Sequence, residues 1–349
     1  MFRAQTKKYY FFVFLWLSAN LHFFASAYEK IIYIIPPSGY DNEKLFDMAD
    51  TIYNRDDCMR PFYALREKLR HKGYDLKTIN WSTAQDLPCF CGLIVCQIPT
   101  NREQLNVLKQ YPLDQLILLL LEPPTVVPNY YDPETHAYFG KTFTMFDELI
   151  DNIRYFKLFY PQIIFGLDDN MPSFHEKKFC TLIASKGVLH HPLELYSERR
   201  KIIHFFEQYH PQEFDLYGKG WNSDEFPSYK GSIVSKKETL KNYRFCICYE
   251  NTKDVYGYVT EKIFDVMMAG CVPIYKGAIN IAIYVDHNCF INRDDFVSDQ
   301  ELYQYLKSID ASTYQKYLDA IRLYLQSEKA AYFSAGYFIQ TIFKALIPQ

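Results

Sequence analysis

The sequence lacks a large net charge and any cysteine spacing typical of a metal site. Its 349 residues carry a formal net charge of −3, whereas proteins that bind nucleic acid usually present a strongly basic face. We therefore expect no nucleic-acid partner, although a local basic pocket for one nucleotide is compatible with this balance. Cys89 and Cys91 are one residue apart, as are Cys246 and Cys248, and no histidine pair complements them, which argues against a zinc site.

The sequence also lacks internal repeats and low-complexity segments, and it is rich in apolar residues. Hydrophobic residues make up 49% of the chain and aromatic residues 18%, so a chain of this length can fill the cores of two domains. Because alternate residues of a strand face the same side, we predict that Cys246 and Cys248 are small apolar residues of one core. The sequence leaves open whether any of its nine cysteines form disulfides.

Residues 1–27 have the pattern of a targeting segment. Three basic residues precede an apolar run over residues 9–24, and Ala25-Ser26-Ala27 has the small residues of a cleavage site. The segment is either a signal peptide or an uncleaved membrane anchor, since a run of about 19 residues is just long enough to span a bilayer. Both alternatives predict a secretory-pathway or membrane-associated protein, Golgi-type in a eukaryote and exported or envelope-associated in a bacterium. In a eukaryote, Asn80-Trp81-Ser82 would be a candidate glycosylation sequon.

Apolar runs alternate with amphipathic stretches along both halves of the chain, which predicts an α/β fold with two parallel-sheet domains. We place the boundary near Pro172, with an N-terminal domain over 28–172 and a C-terminal domain over 173–349. Residues 312–346 are predicted to form two amphipathic helices. The predicted strands are 30–35, 74–79, 92–97 and 115–121 in the first half and 179–184, 214–217, 245–249 and 272–275 in the second, with helices at 61–72 and 102–110.

A polar cluster between two apolar runs makes residues 243–277 the most informative segment. The pattern predicts a buried strand that opens onto Glu250 and Asn251, a loop with glycine, a helix capped by Thr260 and closed by Gly270, and a second parallel strand. In such a βαβ unit the strand end and the helix start face one crevice, where free backbone N–H groups and the helix dipole attract phosphate.

The stretch ENTKDVYGYVTEKIFDVMMAGCVPIYKG resembles the donor-binding signature of the α1,3/α1,4-fucosyltransferase family. The resemblance implies a GT-B fold, in which two Rossmann-like parallel-sheet domains face a cleft, the first binding the acceptor and the second the nucleotide sugar. It further implies inverting transfer of L-fucose from GDP-β-L-fucose to a glycan hydroxyl, O3 or O4 of N-acetylglucosamine. GDP-fucose is then a substrate, and no cofactor is expected.

Two other functions are compatible with the sequence. An inverting transferase of the same fold could use another nucleotide sugar, because only the fucose-specific contacts would differ. An inactive, sugar-binding relative is the second alternative. The presence of a candidate base together with the complete YVTEK run argues against it, because a binding module has no need of a base.

Glu122 is the candidate general base. It follows a nearly pure apolar run over residues 115–121 and precedes Pro123 and Pro124, which prevent a helix and hold the turn open. This position resembles the strand-terminal glutamate of the family, and partial burial there would raise its pKa toward a useful value. The alternative is an exposed strand-end acid, in which case the base would be Asp147, Glu148 or Asp151.

The donor-binding residues are predicted from the resemblance and from charge. Lys262 lies in the first turn of the predicted helix, where its charge would hold the diphosphate. An arginine of the segment 198–201 would assist it; the spacing to Tyr217-Gly218 favours Arg200, and a one-residue gap would favour Arg199 instead. Asn251, Tyr258 and Glu261 complete the donor set, with Glu261 suited to paired sugar hydroxyls and Tyr258 to covering the sugar.

The chain departs from the family pattern between its two domains. Where the family commonly has a threonine, Tyr-Arg and a Ser-Asp pair, this chain has Thr144-Met145-Phe146-Asp147. The departure leaves the acceptor less defined than the donor. The nearby aromatic residues form either a stacking wall for a sugar or part of the core, and the core is the favoured interpretation; they are Tyr130, Tyr131, Tyr138 and Phe139.

We predict that transfer proceeds without a tightly held metal. The sequence has no D-x-D clamp, since Asp168-Asp169 and Asp294-Asp295 lack that spacing, and arginine and lysine would neutralise the phosphates instead. Activity should therefore persist in EDTA. Complete loss of activity in EDTA, restored only by stoichiometric Mn²⁺, would contradict the prediction.

Overall fold

The computed structural model describes residues 30–128, 132–164, 166–167 and 170–347 and arranges their strands in two β-sheets. The first sheet contains β1 (Lys30–Ile35), β2 (Tyr74–Thr78), β3 (Gly92–Val95), β4 (Leu116–Leu120), β5 (Lys141–Thr144) and β6 (Tyr155–Lys157). The second contains β7 (Lys178–Ile183), β8 (Phe214–Tyr217), β9 (Tyr243–Tyr249), β10 (Val272–Lys276) and β11 (Ile291–Asn292).

All neighbouring strands run parallel, in the order β2-β1-β3-β4-β5-β6 in one sheet and β11-β10-β9-β7-β8 in the other. Every strand predicted from the sequence is confirmed to within two residues at each end. β5, β6 and β11 were not predicted. β4 is buried along its whole length, which its five consecutive Leu and Ile residues require of a strand with both faces covered.

The helices cover the sheets and connect their strands. They are α1 (Arg60–Arg70), α2 (Arg102–Leu108), α3 (Pro133–His136), α4 (Tyr196–Tyr209), α5 (Lys236–Leu240), α6 (Glu261–Met268), α7 (Ile281–Tyr284), α8 (Asp299–Ser308), α9 (Ala311–Leu325), α10 (Glu328–Tyr332) and α11 (Ala335–Leu346). The two helices predicted over residues 312–346 are three. Ser327 and Ser334 each accept a backbone N–H bond at a new helix start and so divide the segment.

The last helix returns to the first sheet. Phe338, Ile342 and Leu346 recur at helical spacing on α11 and are buried in the core of the N-terminal domain, with Phe338 edge-to-face on Phe62 of α1 at 5.3 Å between ring centroids. The chain crosses between the domains near Gln162 and again near Phe333 and Ala335. The Gln162 N–H donates to the Phe333 carbonyl, and the Gln162 carbonyl accepts the Ala335 N–H, both at 2.7 Å. The domains are therefore joined by two adjacent crossings.

Several sequence predictions concern core and surface positions. Cys246 and Cys248 are buried in the core of the second sheet, which confirms their prediction as small apolar residues. Phe139 is buried in the first domain, Tyr138 is partly buried against the same cluster, and Tyr130 and Tyr131 lie outside the described residues. Asp168 and Asp169 also lie outside them.

The targeting segment over residues 1–27 lies outside the described residues as well, so the choice between signal peptide and anchor stays a prediction. Among the helices of the described ranges, none combines the length and the apolar character needed to cross a bilayer.

Candidate active site

Glu250 organises the edge of the second sheet. It directly follows β9, its side chain is 0% exposed, and its carboxylate accepts the Thr260 N–H at 2.9 Å, the Thr260 hydroxyl at 2.8 Å and the Lys262 ammonium at 3.0 Å. Thr260 is the N-cap of α6, as predicted, and Gly270 closes this helix with φ at +65°. Glu250 thus fixes the start of α6 against the end of β9.

Lys262 and Glu261 form the charged first turn of α6. Burial opposes the charge of Lys262, but the carboxylates of Glu250 and Glu261 raise its pKa above the ordinary value. Burial likewise opposes the charge of Glu261, and Lys262 and Lys236 lower its pKa to about 2. Both side chains are therefore ionised across the physiological range, so this turn presents a fixed cation and a fixed anion.

The structure brings Arg199, and not Arg200, to this cluster. The Arg199 side chain is buried, and its Nη2 donates to the carbonyls of Tyr249 at 2.6 Å and Glu250 at 2.7 Å and to the Asn251 Oδ1 at 3.1 Å. The guanidinium of Arg200 instead donates to the Gly187 carbonyl at 2.8 Å. The spacing in the sequence favours Arg200. In the structure, Arg199 lies on the buried face of α4 together with Ile202, Ile203 and Phe206, and it therefore points to the strand end.

Lys236 is a third cation that the sequence analysis did not select. It opens α5, pairs with Asp265 of α6 at 2.6 Å, and lies 3.8 Å from Glu261. Arg199, Lys236 and Lys262 together line a narrow cavity of about 40 Å³ at this edge of the sheet. Ser235, which caps α5 by accepting the Glu238 N–H, marks the helix start in the sequence. The sequence gives no signal that α5 lies beside α6.

Glu122 reaches the cleft from the first domain. It lies two residues beyond β4, is partly exposed, and has no hydrogen-bond or ion-pair partner among the described residues. Burial raises its pKa to about 7; Lys262 opposes this rise, whereas Glu261 and Glu250 add to it. These three neighbours belong to the second domain, so the candidate base and the charged turn of α6 face each other across the cleft.

Tyr258 occupies a different position from the one expected of a residue that covers a sugar. Its ring is 1% exposed, belongs to the apolar cluster of the first domain, and stacks on Phe146 with ring centroids 6.0 Å apart. Core packing thus occupies the ring faces. The phenol oxygen, which has no partner among the described residues, is the part of Tyr258 that remains for a ligand.

The alternative bases in the first domain are held by structural contacts or lie at the surface. Asp147 accepts bonds from Lys157, Tyr284 and Asn280, and these donors outweigh burial and lower its pKa. Asp151 caps a turn by accepting the backbone N–H of three successive residues, 153 to 155. Glu148 is exposed. Glu122 is the carboxylate of this group that combines a raised pKa with the cleft.

Within the described residues, no group of three or more His, Cys, Asp or Glu side chains is arranged to hold a metal ion. Asp294 pairs with Lys276, and Asp295 accepts a bond from Asn292 at 3.1 Å. These two aspartates are thus engaged in local contacts beside β10 and β11.

Two parallel sheets that face a charged cleft define the GT-B architecture of glycosyltransferases. Solved structures with the same fold include an α1,3-fucosyltransferase with GDP, at a TM-score of 0.55 and 17% identity, over 91% of this chain and 90% of that one. A structure of α1,3-fucosyltransferase with GDP-fucose matches at a TM-score of 0.53 and 19% identity, over 92% of this chain and 90% of that one. An α-glucosyltransferase in complex with UDP and DNA matches at a TM-score of 0.57 and 10% identity, over 90% and 99%.

Sequence comparison assigns the second domain to a family. Residues 176–334 match the model described as glycosyltransferase family 10 (fucosyltransferase), C-terminal. Residues 176–334 thus match the C-terminal domain of the family 10 fucosyltransferases, which confirms the resemblance found in residues 243–277.

Curated relatives match over shorter segments. The α-(1,3)-fucosyltransferase FucT of Helicobacter pylori is 37% identical over 90 residues, which are 26% of this chain and 18% of the relative. The human 4-galactosyl-N-acetylglucosaminide 3-α-L-fucosyltransferase 9 is 30% identical over 139 residues, 39% of this chain and 34% of the relative. The chain thus spans about a third or less of the length of these two relatives.

We predict that Glu122→Gln stabilises the fold at alkaline pH. Because the folded-state pKa of Glu122 is raised from 4.5 to about 7, the carboxylate destabilises the folded state as pH rises through this window, and the cost is complete above it. Glu122→Gln should add about 1 to 3 kcal/mol to the free energy of unfolding at pH 8 and almost nothing at pH 4.5. Urea unfolding at the two pH values measures this, and an equal effect at both would refute it.

Proposed function

We propose that this protein is an inverting fucosyltransferase that moves L-fucose from GDP-β-L-fucose to a hydroxyl of a glycan acceptor, with O3 or O4 of N-acetylglucosamine as the proposed position. The observation that carries the proposal is the pairing across one cleft of Glu122, a carboxylate with a pKa of about 7, with a cationic helix start in the family 10 domain. The solved neighbours with GDP and GDP-fucose support this choice of donor.

The proposed reaction uses the two domains for two roles. The Glu122 carboxylate removes the proton of the acceptor hydroxyl while that oxygen attacks the anomeric carbon of fucose from the face opposite GDP. The bond from carbon to the diphosphate oxygen breaks, and its electron pair leaves with GDP. Lys262 and Arg199 stabilise the negative charge that grows on the diphosphate, and attack from the opposite face inverts the anomeric centre.

The remaining donor residues are proposed to bind rather than react. Glu261, which stays ionised, accepts bonds from paired hydroxyls of ribose or fucose. The Asn251 side chain, held by Arg199 at 3.1 Å, lies at the strand end beside the diphosphate site. Lys236 balances Glu261 and Asp265 and lines the same cavity. These groups neutralise phosphate without drawing on a metal.

A comparison of donors tests the proposal directly. Calorimetric titration with GDP-fucose, GDP-mannose and UDP-sugars, followed by an acceptor array with labelled GDP-fucose, should give binding to the GDP donors and transfer from GDP-fucose alone. Transfer from another nucleotide sugar would support the alternative transferase. Binding without any transfer across the array would support an inactive, sugar-binding relative.

We predict that Glu122→Gln abolishes transfer and leaves GDP binding intact. The substitution keeps the size of the side chain and removes the base, which typically costs about 10² to 10⁴ in kcat. In the unmodified protein, kcat/KM should fall about tenfold per pH unit below pH 7, because protonated Glu122 cannot accept a proton.

Glu148→Gln is the matched control, since Glu148 is an exposed carboxylate of the same domain. It should transfer fucose at the unmodified rate. If Glu122→Gln kept most of the transfer rate, or if Glu148→Gln lost as much as Glu122→Gln, the assignment of the base would be wrong.

We predict that Arg199, and not Arg200, supports GDP binding. Arg199→Lys keeps a positive charge but loses the fixed fork of donors at the end of β9, so the GDP dissociation constant should rise about tenfold. Arg200→Lys should change it less than twofold. A larger effect at Arg200 than at Arg199 would reverse the assignment.

Lys262→Ala should raise the KM for GDP-fucose and lower kcat, with a combined loss of about 2 to 4 kcal/mol of transition-state stabilisation.

A further inference from the structure

A second charged cluster joins the two domains at the edge of the cleft formed by β5 and β6. Asp147 follows β5 in the first domain and receives the Lys157 ammonium of β6 at 2.7 Å. The hydroxyl of Tyr284, in α7 of the second domain, donates to Asp147 at 2.5 Å and accepts from Lys157 at 3.0 Å. Asn280 Nδ2, also from the second domain, donates to Asp147 at 2.8 Å. We name Asp147, Lys157, Tyr284 and Asn280 the interdomain clamp.

The clamp also holds the loop 252–259, which separates Asn251 from Thr260. The Oδ1 of Asn280 accepts the Gly257 N–H at 2.9 Å, and the Asp147 N–H donates to the Tyr256 carbonyl at 3.1 Å. Gly257 has φ at +80°, and a Cβ there would lie 2.4 Å from the Met145 carbonyl oxygen and 2.6 Å from Asp147 Oδ1. The approach of this loop to the first domain therefore requires glycine.

The next residue continues the same attachment. Tyr258 inserts its ring among apolar residues of the first domain and stacks on Phe146, the neighbour of Asp147. The loop thus belongs to the second domain by sequence and to the first by packing. Its two ends carry Asn251 on one side and the helix start with Glu261 and Lys262 on the other, so a shift of the loop displaces donor-binding groups relative to Glu122.

We infer that the interdomain clamp positions the donor site against Glu122, with Tyr284 as the residue that closes it. This inference rests on the proposed function. The clamp residues do not contact the reacting atoms in the proposed reaction; they act through the loop 252–259. Misplacement of reacting groups by about 1 Å can cost 10²-fold in rate, so a modest loosening of this contact should appear in kcat before it appears in folding.

The chain contains a second cluster of the same chemistry that does not cross the cleft. Lys178 pairs with Asp215 at 2.9 Å, and the Tyr243 hydroxyl donates to Asp215 at 2.6 Å, all within the second domain. In both clusters the lysine ammonium also lies over the tyrosine ring, at 5.6 Å for Lys178 and 4.6 Å for Lys157. Tyr243→Phe is therefore a matched control for Tyr284→Phe, because each removes one tyrosine hydroxyl from a lysine and aspartate pair.

The experiment compares the two variants in transfer, GDP binding and thermal unfolding. Tyr284→Phe should lower kcat for fucose transfer about tenfold or more while the GDP dissociation constant stays within about twofold. Tyr243→Phe should transfer at the unmodified rate. The inference is overturned if Tyr284→Phe transfers normally, if its GDP affinity falls in step with kcat, or if Tyr243→Phe loses as much activity.

A measurement without a substrate separates this inference from the proposed function. Spin labels are attached to cysteines introduced at two exposed positions, Ile52→Cys in the first domain and Val297→Cys in the second. The exposed native cysteines are first changed to serine, so that they take up no label; they are Cys58, Cys89 and Cys91. The distance distribution between the labels should broaden in Tyr284→Phe and not in Tyr243→Phe. Equal distributions would refute the clamp, whichever donor the protein uses; absence of transfer from GDP-fucose in the unmodified protein would refute the proposed function alone.

Discussion

The buried carboxylate of Glu250 is the constraint on which the second domain's site depends. A fully buried charge is costly unless it is paired and hydrogen-bonded, and Glu250 meets this condition through Thr260 and Lys262. The pairing ties the end of β9 to the start of α6, so the geometry of the strand end and that of the helix N-terminus are set together. Lys262 consequently has two functions, since it compensates Glu250 as well as presenting charge to the cleft.

The double role of Lys262 gives Arg199 its importance. A cation committed to a buried carboxylate offers only part of its field to a ligand, and Lys262 also lies 3.9 Å from Glu261. Arg199 is bound mainly to backbone carbonyls and an amide, so its full charge is not cancelled by a carboxylate in direct contact. Arg199 therefore adds to the positive field of the cleft a charge that no carboxylate in direct contact neutralises.

The sequence determined the fold more completely than the site. The apolar runs before Glu122 and Glu250 are long enough to identify buried strands, and the two prolines after Glu122 place it in a turn. β6 and β11 were not predicted because they have only three and two residues, too few for a pattern to be recognised, and β5 was not predicted because its four residues, KTFT, include one apolar side chain. Their polar ends, including Asp147 and Lys157, form contacts that depend on the other domain, which no local pattern encodes.

Three side chains have positions in the structure that the sequence did not predict, and these positions share one physical cause. Arg199 and Arg200 are adjacent, and only the packing of α4 decides which one faces β9. Tyr258 lies in a motif of the second domain, yet its ring is buried by the first. Lys236 reaches Glu261 because α5 packs beside α6. In each case the side chain's direction follows from tertiary contacts between elements, whereas motif and spacing specify only the element on which it lies.

The opposite edge of the cleft shows how the domain arrangement bears on the charges within it. Asp56, in the segment that follows β1, accepts the Ser235 hydroxyl at 2.7 Å and the Lys236 N–H at 3.0 Å, and thereby fixes the start of α5 from the first domain. Lys236 lowers the pKa of Glu261 within the second domain, whereas Glu261 raises the pKa of Glu122 across the cleft, so separation of the domains would weaken the influence of Glu261 on Glu122. A diphosphate bound beside Lys262 would add negative charge near Glu122 and raise its pKa further. In the proposed reaction, a bound donor would therefore strengthen Glu122 as a base and would also raise the pH below which its protonated form stops transfer.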